Sequence, residues 1–120
     1  MAQLEGKSLS APEETRQFAG HGHMDLVNLK TGPVGLGTFE PGWRWSNDVK
    51  PLAGTDSCQV EHLGYVVSGS MTVRMDDGEE HTYVEGEAFH MPPGHDAWTE
   101  GDESCILVDF GGVARYAKSD

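Results

Sequence analysis

The sequence predicts an all-β domain, an antiparallel sandwich or barrel built from short strands. Its 120 residues include 16 glycines and 6 prolines, which interrupt the chain every few residues between Gly32 and Gly112. Each glycine would cost a continuous helix about 1 kcal/mol and each proline about 3 kcal/mol. Strands joined by turns tolerate both residue types. Several short runs alternate apolar with small or polar residues, and no helical stripe of useful length occurs.

The predicted elements follow one another closely along the chain. Residues 1–20 are polar and are expected to form an N-terminal arm. A β domain is predicted over 21–112, followed by a C-terminal tail over 113–120. A loop is predicted over 50–56 because it holds a proline and a glycine. Strands are predicted over 24–29, 33–40, 43–45, 59–67, 70–75, 79–84, 87–91, 96–100 and 105–110.

Two turns justify this division most directly. Asp76-Asp77-Gly78 closes a hairpin, because Asp-Gly supplies the positive φ angles that tight hairpin turns require. Pro92-Pro93-Gly94 forms a stiff bend between two strands. About nine short strands with frequent turns are typical of an antiparallel sandwich or barrel.

Composition excludes several classes of protein. The chain has 8 basic and 20 acidic residues, so its net charge of −12 argues against binding to nucleic acid or to an anionic membrane. No window approaches the roughly 18 apolar residues of a membrane span, and the first residues lack the apolar core of a signal peptide. Two cysteines, Cys58 and Cys105, are too few for a disulfide framework. We therefore expect a cytoplasmic domain with reduced thiols.

The spacing of glycine and proline resembles the two signature motifs of the cupin family. The first family motif runs Gly, five residues, His-x-His, three or four residues, Glu, six residues, Gly, and Gly69 fits its close. The second runs Gly, five residues, Pro-x-Gly, two residues, His, and Gly86 followed by Pro92-Pro93-Gly94 fits its opening. The resemblance covers roughly residues 39–110. It implies a single cupin-type antiparallel jelly-roll β-barrel.

A narrower resemblance is to a set of small bacterial single-domain cupins. That set carries three short stretches that correspond here to residues 39–46, 54–58 and 92–98. It implies no particular activity, since cupins include isomerases, dioxygenases, lyases and proteins without catalysis.

In cupins, the histidines and the glutamate of the first motif, together with the histidine of the second motif, usually hold a divalent metal inside the barrel. This sequence departs from that pattern. Counting back from Gly69, the glutamate position falls on His62, and the His-x-His positions fall on Asp56 and Cys58.

A second count and the second motif also differ from the family pattern. Counting forward from Gly42, the His-x-His positions fall on Asp48 and Lys50, and a lysine there would repel a metal. The expected histidine of the second motif is Ala97, and His95 lies two residues before it.

These counts leave a candidate metal site at His62, His95, Cys58 and Asp48, with Asp56 as the alternative to Asp48. His62 is expected to face inward, because it shares strand parity with residues that are small or apolar. Two imidazoles with a thiolate or a carboxylate suit one divalent transition metal, Zn, Fe, Mn or Ni. The alternative is that His62 only makes a hydrogen bond inside a polar cavity and that His95 only caps the turn after Gly94.

Aromatic residues are the candidate ligand-binding groups. One or two of Trp43, Trp45 and Trp98 are predicted to line the cavity and to stack on a flat ligand, with packing in the core or in a dimer as the alternative. Tyr65 is a further ligand-binding candidate, with packing between strands as its alternative. His90 and Glu61 are expected on the outer surface.

Two functions stay open from the sequence. One is a cupin that binds a small organic molecule without catalysis, as a sensor or storage module. The other is a metal-dependent enzyme of dioxygenase, isomerase or lyase type, in which the metal polarises a carbonyl or activates oxygen or water. A weaker third case is metal-free acid–base chemistry with His62 as the catalytic proton shuttle. Because small cupins commonly pair and the apolar content is low, we expect a homodimer.

Overall fold

The structure, a computed structural model, describes residues 3–110, 112 and 116–117. Within these residues the chain forms nine strands and two four-residue helices. They are β1 (Glu14–Gln17), β2 (Gly22–Leu29), β3 (Gly32–Phe39), α1 (Trp45–Asp48), α2 (Lys50–Ala53), β4 (His62–Ser68), β5 (Ser70–Met75), β6 (Glu80–Val84), β7 (Ala88–Met91), β8 (His95–Thr99) and β9 (Cys105–Asp109). The prediction of an all-β fold is confirmed. No helix of the described residues is long and apolar enough to cross a membrane.

The strands form two antiparallel sheets. One has six strands in the order β1-β2-β3-β9-β4-β7, and the other has three in the order β6-β5-β8. The turn at Asp76-Asp77-Gly78 joins β5 to β6 as predicted, with Gly78 at a φ of 98°. Strands β4 and β9 lie next to each other in the larger sheet, so their inward side chains approach closely.

Strand alternation determines what reaches the interior. On β4 the buried positions are His62, Gly64 and Val66, and the residues between them are exposed. The same alternation buries every second residue of β8 and β9, starting from His95 and Cys105. The inner faces therefore carry two histidines within an otherwise largely apolar core.

An aromatic cluster fills one side of this core. The ring centroids of Phe39 and Trp43 are 4.6 Å apart, and those of Phe18 and Phe39 are 5.3 Å apart. Tyr116 packs edge-on against Phe18 at 5.9 Å. Burying each such side chain stabilises the fold by roughly 1.5–3 kcal/mol, so the cluster rigidly fixes the wall of the interior.

The segment around Trp43 differs from its prediction. A strand over 43–45 was expected, but Trp45–Asp48 forms α1, and Lys50–Ala53 forms α2 within the predicted loop. The Asp48 carboxylate accepts the backbone N–H of Arg44 at 3.0 Å, which closes a turn that strand geometry does not allow. Gly54, at a φ of 76°, ends α2.

The predicted N-terminal arm contains a strand. β1 pairs with β2, and the largely buried Arg16 donates a 2.8 Å hydrogen bond to the backbone carbonyl of Tyr116. The described part of the predicted tail, Tyr116 and Ala117, is buried. Residues 113–115 and 118–120 of that tail lie outside the described residues.

Candidate metal centre

Three buried side chains converge between the two sheets. One ligand atom each from Cys58, His62 and His95 lies within 4.8 Å of the other two. The Cys58 Sγ is 3.6 Å from the His62 Nε2. All three residues are at most 5% exposed, so water competes little for these atoms.

Local backbone pairing brings the three residues together. His62 begins β4 and His95 begins β8. Cys58 precedes β4 and forms a β-bridge with His95, in which the Cys58 N–H donates to the His95 carbonyl at 2.7 Å. Residues opposed in an antiparallel bridge place their side chains on the same side, so Cys58 faces the histidines.

Both imidazoles are held by hydrogen bonds at Nδ1. The Nδ1–H of His62 donates to the Asp109 Oδ2 at 2.6 Å, and that of His95 donates to the Pro92 carbonyl at 2.7 Å. These acceptors direct Nε2, the other ring nitrogen, as the ligand atom. Metal-binding histidines are typically oriented in this way by a carboxylate or a backbone carbonyl.

Cys58 and His62 strongly perturb each other's titration. Burial alone would raise the pKa of the Cys58 thiol, but hydrogen bonds from His62 and His95 outweigh burial and lower that pKa from 9.0 to about 6. Burial alone would lower the pKa of His62, but hydrogen bonds with Asp109 and Cys58 raise it from 6.5 to about 9. At neutral pH and without metal, the pair is therefore a thiolate beside an imidazolium. A thiolate is the form of cysteine that binds metals.

Asp109 is a site residue that the sequence analysis missed. Its side chain is buried, and its second oxygen accepts the backbone N–H of Gly112 at 3.0 Å. Its position in the sequence indicates burial, because alternation along this apolar strand places Asp109 on the same inward face as Cys105 and Leu107. A lone carboxylate at an inward position needs a partner, and here the partner is His62.

Gly112 allows the chain to pass close to the imidazole. A Cβ at this position would lie 2.4 Å from the Glu61 carbonyl oxygen and 3.0 Å from the His62 Nδ1. Any side chain at Gly112 would therefore displace the backbone beside the His62–Asp109 pair.

The interior next to these ligand atoms is small. The volume open to the centres of water molecules is about 20 Å³, which is room for roughly one water molecule. Its polar lining consists of His62, His95 and Asp109, within a wall of apolar and aromatic side chains: Met24, Phe39, Trp43, Trp45, Met71, Phe89, Met91, Ala97, Leu107 and Tyr116. The space beside the ligand atoms therefore takes one water-sized group, and an organic molecule would enter only if the wall moved.

Asp48 does not belong to this group, so its place among the predicted metal ligands is wrong. Its carboxylate is buried elsewhere, where it accepts the Arg44 N–H and lies 3.2 Å from the Nδ1 of His21. In the helix that replaces the expected strand, this side chain lies beside His21, and it is not among the described residues that line the cavity.

The predicted aromatic residues divide into two pairs. Trp43 and Trp45 line the cavity, and their stacking on a ligand stays a prediction. Tyr65 is 45% exposed on the outer face of β4, so its placement in the cavity is wrong. Trp98 is also outside the cavity, because its outward position on β8 stacks it under the Arg44 guanidinium at 4.4 Å.

One distance within the cluster fits a tetrahedral metal. Zinc–sulfur bonds of about 2.3 Å and zinc–nitrogen bonds of about 2.0–2.1 Å, at a tetrahedral angle, separate the two ligand atoms by about 3.6 Å. The observed distance between Cys58 Sγ and His62 Nε2 is 3.6 Å. The donor set of one sulfur and two nitrogens also matches transition metals rather than Mg or Ca.

Comparison with known proteins identifies a matching family and similar folds. Residues 55–111 match the family described as "Cupin domain". No curated protein matches the chain.

Several solved structures are similar in fold, at low sequence identity. A protein of unknown function from Rhizobium leguminosarum has a TM-score of 0.64 at 18% identity, covering 92% of this chain and 98% of the other. A cupin-like protein from Thermotoga maritima has a TM-score of 0.55 at 16% identity, covering 85% and 76%. A cupin-2 domain containing protein from Shewanella frigidimarina has a TM-score of 0.50 at 14% identity, covering 74% and 78%.

Proposed function

We propose that this small domain, which matches the cupin family over residues 55–111, binds one divalent transition metal through Cys58, His62 and His95. The observation that carries this proposal is the convergence of three buried ligand atoms, with each imidazole oriented by an acceptor at its Nδ1. As part of the same proposal, the two sheets are the halves of a jelly-roll barrel that surrounds the metal.

The ligand types select among the metals predicted from the sequence. A thiolate with two imidazoles suits Zn, Fe or Ni better than Mn, which prefers oxygen ligands. When bound, such a metal supplies a Lewis acid that polarises an oxygen atom of a small molecule. The residues of the chain orient that metal: Cys58 contributes a negative charge, and Asp109 holds the His62 ring in place.

Three protein ligands leave one position of a tetrahedral metal open. Structural zinc sites are closed by four protein ligands, whereas catalytic sites keep a position for water or substrate. This feature favours the second candidate function, a metal-dependent enzyme acting on a small organic substrate. Because the cavity has room for about one water molecule, an organic ligand reaches the open position only if the wall around Trp43 and Trp45 moves.

A homodimer is a further part of the proposal. Leu63, Tyr65 and Val67 are 56%, 45% and 44% exposed on the outer side of β4. This uncharged stripe belongs to a chain with a net charge of −12. Exposed apolar stripes commonly mark association sites, so two copies of the chain would meet through this stripe.

Cobalt substitution tests the metal site. We expect Co(II) added to the purified protein to give a sulfur-to-cobalt charge-transfer band in the near ultraviolet, because Cys58 is a ligand. Cys58→Ser is expected to abolish this band while circular dichroism stays unchanged. The matched control is His90→Ala, since His90 is an exposed histidine that pairs with Glu61 on the surface. If the cobalt spectrum of the parent protein lacks the band, or if Cys58→Ser retains it, the proposed ligand set is wrong.

A further inference from the structure

Trp43 carries a buried donor without an acceptor. Its side chain is 2% exposed, and within the described ranges its Nε1 is the one buried side-chain nitrogen or oxygen that has no hydrogen-bond partner. Leaving such a donor unpaired is costly, and buried polar groups in native proteins are almost always satisfied by protein or by an ordered molecule. The unpaired indole therefore indicates an acceptor that the protein chain does not itself provide.

The position of Trp43 connects this donor to the metal centre. Trp43 lines the same cavity as His62 and His95. It is fixed there because its carbonyl accepts the Thr99 N–H at 3.0 Å, and because the next residue, Arg44, bridges to β8. The ring of Phe39 packs against it at 4.6 Å, so the indole is held by the core.

We infer that the indole N–H of Trp43 donates a hydrogen bond to a water-sized oxygen ligand that completes the coordination of a metal held by Cys58, His62 and His95. This inference rests on the proposed function, and adds to it the residue that selects the fourth ligand. The free space of about 20 Å³ matches a single water molecule.

Charge and hydrogen bonding together define the ligand class. An indole N–H is a donor only, so it favours a ligand atom with a free lone pair and disfavours an ammonium group. A dication is balanced by the Cys58 thiolate and the Asp109 carboxylate, so a neutral ligand leaves this buried site uncharged. Water satisfies both conditions, as does the carbonyl oxygen of a small molecule once the cavity wall moves, and Trp43 thereby acts as a specificity-determining residue.

Indole NMR of the full-length protein provides the test. The probe is zinc alone, added to ¹⁵N-labelled protein, with bound zinc measured in the same sample. We expect zinc to shift the Trp43 indole signal and to leave that of Trp98 unchanged, since the Trp98 Nε1 already donates to Glu100 at 2.8 Å. A crystal structure of the zinc-loaded protein should then show a water oxygen about 2.7–3.2 Å from the Trp43 Nε1.

Substitution separates this inference from the metal site itself. Trp43→Phe should retain zinc at full stoichiometry and weaken its affinity by about 2-fold to 10-fold, the value of one neutral hydrogen bond. Trp98→Phe is the matched control and should bind zinc as the parent does. If zinc binds and the indole NMR signal of Trp43 does not shift, the inference about Trp43 is wrong and the proposed metal site is still supported. No zinc binding by the parent protein overturns both. If Trp43→Phe does not fold, the parent NMR and crystallographic results decide the question.

Discussion

The hydrogen bond between Asp109 and His62 provides a quantitative test of the metal centre. Asp109→Asn keeps the side chain's shape and removes the charge that accepts the His62 Nδ1–H at 2.6 Å. Replacing a carboxylate that orients a ligating histidine typically lowers metal affinity by about 10-fold to 100-fold. We expect the zinc affinity of Asp109→Asn to fall by this factor at a pH high enough that no proton competes with zinc for His62.

Proton competition makes this effect depend on pH. In the metal-free protein the pKa of His62 is raised to about 9, so a proton occupies the ligand nitrogen below that pH. At pH 7 this proton weakens zinc binding to the parent by about 100-fold, ten for each pH unit. Asp109→Asn removes a cause of the raised pKa, so the variant carries less of this penalty. Its deficit in affinity is therefore expected to be largest above pH 9 and to shrink towards pH 7.

Competition with a chromophoric chelator at several pH values measures both effects. Asp25→Asn is the matched control, since Asp25 forms the same kind of pair with His23 at 3.3 Å away from the metal centre. That variant should match the parent at every pH. Equal zinc affinities for Asp109→Asn and the parent above pH 9 would refute the role assigned to Asp109. A deficit that grows on acidification would refute the assigned protonation of His62.

Three further predictions follow from the same structure. Zinc affinity of the parent should rise about tenfold per pH unit between pH 6 and 9 and then level off, because His62 must lose one proton while Cys58 is already a thiolate; chelator competition showing a flat profile over that range would contradict this. Gly112→Ala should destabilise the fold by about 1–3 kcal/mol in urea unfolding, because its Cβ would lie 2.4 Å from a backbone carbonyl oxygen; Gly6→Ala, which meets nothing within 4 Å, is the control, and equal stabilities would oppose the packing argument. Light scattering should give about twice the 13.0 kDa chain mass, and Tyr65→Asp should reduce it to that of one chain; a parent protein that scatters as a monomer at micromolar concentration would exclude the dimer.

Strand parity explains why part of the interior could be predicted. His62, Gly64 and Val66 share one face of β4, and the structure buries all three. The second-motif histidine was expected at position 97, and His95 lies two residues earlier. A shift of two residues along a strand keeps the same face, so His95 and Ala97 both point inward on β8.

Two contacts of Asp48, one local and one distant in sequence, explain why the segment before β4 differs from its prediction. Alternation in Trp43-Arg44-Trp45 favoured a strand, but the Asp48 carboxylate closes a turn on the Arg44 N–H. The position of His21 beside that carboxylate depends on how β2 begins, which local periodicity does not specify. Asp48 was assigned to the metal site by counting along the family motif from Gly42, and that count carries no information about its hydrogen-bond partners, Arg44 and His21.

Asp109 was missed for a different reason. The sequence analysis interpreted the segment from Cys105 to Asp109 only as an apolar strand. It did not identify a hydrogen-bond partner for the carboxylate at the end of that strand. Its partner, His62, is 47 residues away and becomes adjacent only when β9 pairs with β4. Such a pair becomes predictable from sequence once the order of strands in the sheet is known.

The most direct test of the central claim is the metal content of the protein by plasma mass spectrometry. Untagged protein is purified without chelator, supplemented with zinc, iron or nickel salts, and freed of unbound metal by gel filtration, alongside Cys58→Ser and the surface control His90→Ala. The account predicts close to one metal ion per chain in the parent and in His90→Ala, and a large loss in Cys58→Ser. Metal far below one ion per chain in the supplemented parent, or full content in Cys58→Ser, would contradict it.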